Sequence, residues 1–442
     1  MTEVADRTEP YVADFAAFAR NGASGAPEWL RELRRGAIAR FAELGFPTTK
    51  QEEWRFTSVA PIADQRFTLA HAPHSPLPAP SDIEGLCVGA GPRVVFVDGR
   101  HAPTLSTPVD LAGGVRAGSL AAALGTDAGG ELARAHLARH ARWRESAFAA
   151  LNTAFLADGA FVHVPADVTL DRPLEVVFLS TGRAVSDGPI VSHPRSLIVV
   201  ERGARAAVVE TYAGLSDGVY WTNAVTEVVV GEGAWAELYR VQQEGPHGFQ
   251  VATTHSRQER DSYLGVHVVT LGAALSRHDI NAELDGPGAE LILNGLYLLS
   301  GAQHADHHTV IDHAQPHCAS HEFFNGVLAE RVHGVFTGRI IVRPGAQRTD
   351  SKQTNNNLLL STDARADSQP QLEIYADDVK CTHGSTVGPI DQMQLYYLRS
   401  RGLSAEAARS ILTYGFGAEI LDRMRHPDVR DRLDRLVRAR LA

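Results

Sequence analysis

The sequence predicts a mainly β protein. A parallel β-helix (solenoid) core fills residues 161–388, between an N-terminal helical and mixed region, 1–160, and a C-terminal helical region, 389–442. Three observations predict it. From about Phe161 the chain breaks into short runs of Val, Ile, Leu and Thr cut by Gly and Pro, the composition of strands and turns. Turn signals then recur: Gly203, Gly233, Asp261, Gly288, His317 and Gly345 stand 30, 28, 27, 29 and 28 residues apart. A second break falls near each mid-repeat, at 216–218, 245–248, 271–273, 300–302 and 331–334, so each repeat holds two strands. A coil of that size cannot bury its apolar face alone and must stack on its neighbours. A β-sandwich would space its turns more evenly, at about 8–12 residues.

The flanks read differently. Residues 1–45 are helical in pattern, and in 27–44 apolar residues fall at helical spacing between Pro27 at the start and Gly45 as a stop. QEEWRFT follows, with Trp54 placed to anchor the segment on an apolar surface. Residues 75–116 are rich in Pro and Gly around one clear strand, 93–99. Residues 131–157 carry apolar positions every three or four residues and read as a second helical region. In that region His136 and His140 share a helix face at a spacing that can bind zinc, but no third ligand lies nearby, so a solvated face is the expectation. After Pro389 three helical segments follow, the second N-capped at Ser404. In that segment Ile411, Leu412, Tyr414, Phe416, Ile420, Leu421 and Met424 form a broad apolar stripe, facing either the solenoid or a partner.

Composition narrows the function. With 442 residues, 44% hydrophobic and 21% charged, the chain has ample material for a core. A net charge of −10 argues against a nucleic-acid footprint. No apolar run approaches the roughly 18 residues of a membrane span. The first residues lack the apolar core of a signal peptide. Three scattered cysteines, Cys87, Cys318 and Cys381, make no disulfide framework and fit a cytoplasmic protein. Nucleotide-binding fingerprints are absent, and no nucleophile–base constellation stands out.

Two stretches hold metal-competent side chains. Residues 304–326 contain His304, His307, His308, His313, His317, Cys318 and His321 without a zinc-like spacing. A repeat register is expected to scatter them over several coils and both faces. Asn355, Asn356 and Asn357 precede Leu358–Leu360 and read as an asparagine-lined turn capping a buried strand. In Leu372–Leu403, LEIYADDVKCTHGSTVGPIDQMQLYYLRSRGL, strand alternation should project Cys381 and His383 together. Thiolate and imidazole both ligate iron and other soft or borderline metals. A conventional cluster needs about four thiolates, so this chain alone cannot hold one.

DDVKCTHGSTVG and QLYYLRSRG, with GVFTGRIIVRPGAQRTDSKQTNNNLLLSTDARADSQPQLEIYADD (334–378) and more faintly QEEWRFT, resemble the SufB/SufD family of the SUF iron–sulfur cluster assembly machinery. The resemblance covers most of the chain and implies the same β-helix fold. It further implies a non-catalytic scaffold that pairs with a SufB-like subunit and docks a SufC-like ABC ATPase; a homodimer is a compatible further reading, since an exposed solenoid face can pair with itself when that partner is absent. A cluster or iron would be held transiently by the complex, not stably by the isolated chain. The family's functional pair falls on Cys381 and His383, as candidate ligands at the partner interface. ATPase docking falls on the 391–424 helices, around Tyr396, Leu398, Arg399, Leu403, Ile411 and Leu412. SufB-like chains carry a sulfur-accepting cysteine some 19 residues before the histidine and a glutamate immediately after it. Ala364 and Gly384 stand in those places, which points to the SufD side of the family. A second reading is a carbohydrate-active or metal-dependent β-helix enzyme with the histidine run at its cleft.

Overall fold

The computed structural model describes residues 2–21, 25–70, 76–89, 91–107, 111–183 and 188–441. A parallel β-solenoid of about seven turns spans residues 190–389. Successive strands alternate between two sheets. Tyr220–Val230, Gly248–Gln258, Leu275–Leu284, His304–His313, His333–Val342 and Arg365–Ile374 stack in that order in one sheet. Arg205–Gly214, Trp235–Gln243, Tyr263–Thr270, Glu290–Leu299, Ala319–Leu328, Asp350–Leu359 and Lys380–Pro389 stack in the other. These neighbours are parallel, and the ladder is straight: Leu275 lies opposite His304, and His304 opposite His333.

The turns stack as well, which is why they are periodic in sequence. Gly203, Gly233, Asp261, Gly288 and His317 all adopt positive φ. The Gly233 N–H donates to Arg260 O, Asp261 to Pro287 O, Gly288 to Pro316 O and His317 to Gln347 O, each one coil onward. At Gly288, with φ of 75°, an added Cβ would come within 2.1 Å of Asp261 Oδ1, so only glycine fits. The last expected marker is displaced. Arg348, not Gly345, takes the left-handed conformation, because its N–H is the one that reaches Asp378 O on the following coil.

Inward positions build one continuous apolar core that includes Val228, Leu238, Ala252, Val266, Ile280, Leu293, Ile311, Phe324 and Ile340. The asparagine run departs from its expected place. It lies mid-strand in Asp350–Leu359, with Asn355 and Asn357 buried in the core instead of capping a turn. There the Tyr297 hydroxyl donates to Asn357 Oδ1 at 2.5 Å and accepts from Asn355 Nδ2 at 3.1 Å. Asn serves turns and interior ladders alike, so the run by itself does not distinguish the two.

The N-terminal region packs on the outer face of the first sheet. Helices Thr2–Asn21 and Glu28–Leu44 form as expected, the second ending at Gly45 with φ of 66°. Trp54 is buried in an aromatic cluster with Phe148 and Trp221 nearby, and the Arg277 guanidinium lies 3.7 Å over its ring. The anchor is therefore cationic as well as apolar. Thr57 strengthens it, donating to Asp306 Oδ2 at 2.5 Å with His304 Nε2 at 2.8 Å.

The single helical region expected over 131–157 is two helices, Asp127–His136 and Ala147–Ala154. A carboxylate from the solenoid breaks it. Glu227 accepts the N–H groups of Ala138, His140 and Ala141, which a continuous helix would have kept, and Ala138 and Arg142 take positive φ. His140 thus lies outside the helix. It still stands near His136, at 6.2 Å between ring centroids, but both rings are half-buried and do not form a solvated face.

Helices Gln392–Ser400, Ala405–Leu421 and Pro427–Leu441 complete the chain, and the Ser404 hydroxyl accepts from Ala407 N as its N-cap. They lie along the outer face of the second sheet. Ile420, Leu421, Met424, Val429, Leu433 and Val437 pack there against Val241, Val269, Leu296, Leu298 and Val327. Among the described residues no helix is long and apolar enough to cross a membrane.

Candidate functional site at the open end of the solenoid

The two ends of the solenoid are treated differently. At one end strands Arg93–Val97 and Arg116–Ser119 extend the two sheets, and Val94, Phe96 and Val115 close the core. At the other, Arg365–Ile374 and Lys380–Pro389 are the last strands of their sheets, and the C-terminal helices turn away along the flank. The core is therefore cut open there. Val387, on the inward face by register with Asn357, is 47% exposed, and Ile374 is 40% exposed. A rung whose two strand edges are unpaired and uncapped among the described residues invites a partner.

Cys381 and His383 sit on that rung. Both lie on its inward face, in register with Ser351 and Gln353, which the coil beneath buries completely or nearly so. His383 is exposed only because no coil stacks above it, while Cys381 is half-buried against the core edge. Burial, with the neighbouring Asp350 carboxylate, pushes the Cys381 thiol above its ordinary range.

Each side chain tops a buried polar column. Beneath Cys381, Ser351 Oγ and Ser320 Oγ are 2.7 Å apart, and His313 Nε2 is 2.9 Å from Ser320 Oγ. Beneath His383, Gln353 Nε2 donates to Glu322 Oε2 at 2.6 Å. Burial pushes the Glu322 carboxyl up to about 7. The sign follows directly. A raised carboxyl stabilises the fold best below its unfolded value near 4.5 and loses that contribution as pH rises towards 7. Glu322→Gln is therefore expected to remove about 3 kcal/mol of stability loss between pH 5 and pH 8. Denaturant titrations at both pH values check this; an unaltered pH dependence would count against a buried, proton-holding Glu322.

Sulfur and imidazole nitrogen suit iron, and Cys381 and His383 present one of each on a shared face. Among the described residues no cluster of three or more His, Cys, Asp or Glu side chains is arranged to hold a metal ion. The histidine run is divided as its strand pattern dictates, although over one coil and not several. His307 and His313 are buried, His304 and His308 are half-buried, and His317 lies in the turn. His307 stacks on Tyr297 and contacts Thr270 Oγ1 at 3.0 Å, and burial pushes it down to about 4. These are interior and latch residues, not a shared cleft.

A second surface lies on the C-terminal helices. Asp391 caps Gln392–Ser400 by accepting from Met393 N at 2.8 Å. Met393, Gln394, Tyr397, Leu398, Ile411 and Leu412 line a groove of about 410 Å³. Met393 is 74%, Tyr397 57% and Ile411 48% exposed. Of the residues anticipated, Leu398, Ile411 and Leu412 line it. Tyr396 and Arg399 are exposed but do not line it, and Leu403 packs beneath, in the cluster around Leu395 and Ala408. Met393 and Tyr397 were missed, although their i,i+4 spacing beside Gln394 and Leu398 carries the signal.

The family model for the SufBD core domain of SUF system FeS cluster assembly matches residues 182–416, and that for the SufBD protein N-terminal region matches 5–176. The chain is 32% identical over 415 residues to an iron-sulfur cluster assembly SufBD family protein of Synechocystis, covering 92% of this chain and 90% of the other. It is 30% identical to the iron-sulfur cluster assembly protein SufD of Escherichia coli, covering 86% of each. With the Bacillus subtilis SufD the identity is 26%, over 90% of this chain and 91% of the relative.

Proposed function

Because the chain belongs to the SufBD family of SUF iron–sulfur cluster assembly proteins, we propose that it is a non-catalytic scaffold subunit of the SufD kind. It pairs through the open end of its solenoid with a SufB-like subunit and carries a SufC-like ATPase on its C-terminal helices. The observation that supports this reading most is the uncapped rung, where exposed apolar Ile374 and Val387 accompany Cys381 and His383. Stacking a partner's strands on this rung would pair its edges and bury its apolar residues, as any added coil does. It would also place the thiol and the imidazole at a seam.

The nascent cluster is the cargo of this seam. Two donors supply about half of the four ligands a cluster takes, and the partner contributes the others. Cys381 must lose its proton to ligate, and burial works against that in the isolated chain. Ligation is thus favoured only when the seam has assembled and iron is present. The ATPase grips the exposed groove, whose floor is continuous with helices fixed to the solenoid flank.

Tyr397→Asp and Ile411→Asp test the docking arm. Each puts a charge into the apolar groove, where a buried anchor is worth at least about 2 kcal/mol, roughly 30-fold in affinity. Co-purification of the ATPase is expected to be lost while the melting temperature of the chain stays put, because both residues are exposed. Full retention of the ATPase by both variants would remove the groove from the interface.

A further inference from the structure

A buried acceptor near the open end lacks a partner. Gln353 Oε1 is enclosed and makes no hydrogen bond among the described residues, whereas the neighbouring Glu322 carboxyl interacts with the Thr309 hydroxyl as well as with the Gln353 amide. Buried acceptors are normally paired, so an orphan points to a donor that arrives from elsewhere. Gln353 uses its Nε2 on Glu322 Oε2, which leaves the amide oxygen directed away from that bond. The amide is seated against Gly338 of the facing sheet, where an added Cβ would come within 2.3 Å of Nε2. Glycine there leaves just the room that this amide occupies. The next position along the same inward column is His383, in register with Gln353 and one strand spacing, about 4.8 Å, away.

We infer that Glu322 and Gln353 are positioning residues for His383. When a partner subunit covers the end rung, a ring N–H of His383 donates to Gln353 Oε1, and Glu322 holds the amide through Nε2. The opposite ring nitrogen, left without a proton, then faces the seam with its lone pair towards iron. An imidazole ligand normally has its second nitrogen fixed in this way, which sets both tautomer and ring orientation. The column needs the partner because His383 is exposed in the isolated chain and has nothing to press it inward. The inference rests on the reading of His383 as a ligand.

The test uses the complex of this chain with its SufB-like and ATPase partners, supplied anaerobically with ferrous iron and sulfide. The Q353L/E322L double variant removes both partners of the Gln353–Glu322 hydrogen bond together, so neither is left buried without the other. It is expected to melt with the wild type and keep its partners, yet to lose cluster yield about tenfold or more, the range for outer-shell partners of a ligand. The imidazole nitrogen coupling in pulsed EPR of the reduced cluster should disappear or shift, and adding H383A should cost nothing further. A purely structural column would instead be rescued by the apolar pair. Wild-type yield and coupling in Q353L/E322L, with H383A still deficient, overturns the positioning role and leaves the ligand reading standing. H383A without effect on either readout removes both. Should the double variant fail to fold, G338A displaces the Gln353 amide with every polar group retained and carries the same expectations.

Discussion

Replacing Glu227 with alanine is expected to cost about 3–5 kcal/mol of folding stability, the range for breaking a buried ion pair from one side. Glu227 and Arg195 are both fully buried, with Nη2 and Oε2 2.6 Å apart and Nε at 3.2 Å. The guanidinium also donates to Asn152 Oδ1 and Thr153 Oγ1, at 3.1 and 3.2 Å. The carboxylate takes the three amides of the 138–141 loop. Alanine would strand a buried cation and three buried N–H groups at once. Burial alone would raise the Glu227 carboxyl, but Arg195 and the amides outweigh it and hold the group below its ordinary range. Its contribution is therefore present at neutral pH and is lost only as pH falls through that lowered value. Guanidinium titration at pH 7.5 measures the loss. A change below about 1 kcal/mol would mean that the latch between the N-terminal region and the solenoid is held by packing alone.

Replacing His383 with alanine in the assembled complex should lower cluster yield at least about tenfold, since even residues that merely support a metal ligand are worth 10–100-fold. The melting temperature should not move, because the side chain is exposed and at the end of the ladder. These two readouts separate chemistry from folding. Anaerobic reconstitution with ferrous iron and sulfide, followed by visible absorption, gives the yield. An unchanged yield would take His383 out of the site and leave the open rung with a docking role only.

The solenoid was legible because its turns obey one geometric rule each. Every coil must return in register, so a left-handed residue recurs at the same place, and Gly203, Gly233 and Gly288 announce it. The rule weakens where another residue tolerates the strain. Asp261 and His317 were still found from spacing, whereas Arg348 was hidden behind a nearby glycine. The C-terminal stripe was legible as a stripe, but its division was not. Ile420 and Leu421 are buried on the solenoid while Ile411 remains exposed, although all three fit one helical pattern. Helical periodicity reports which residues share a face and is silent on what that face meets.

By itself the sequence determined the coil period, the flanking helices and the pairing of Cys381 with His383 on one side of a strand, since each follows from local backbone geometry. Tertiary structure alone decided that this strand is the last of its sheet, that Glu227 breaks a helix some ninety residues before it, and that Glu322 lies in one column with Gln353 and His383. Those are relations between coils, set by which residues stack at the same register across gaps of about 30 positions. No local propensity encodes them; stacking does, because each new coil buries the inward face of the one before and leaves only the final face open to a partner.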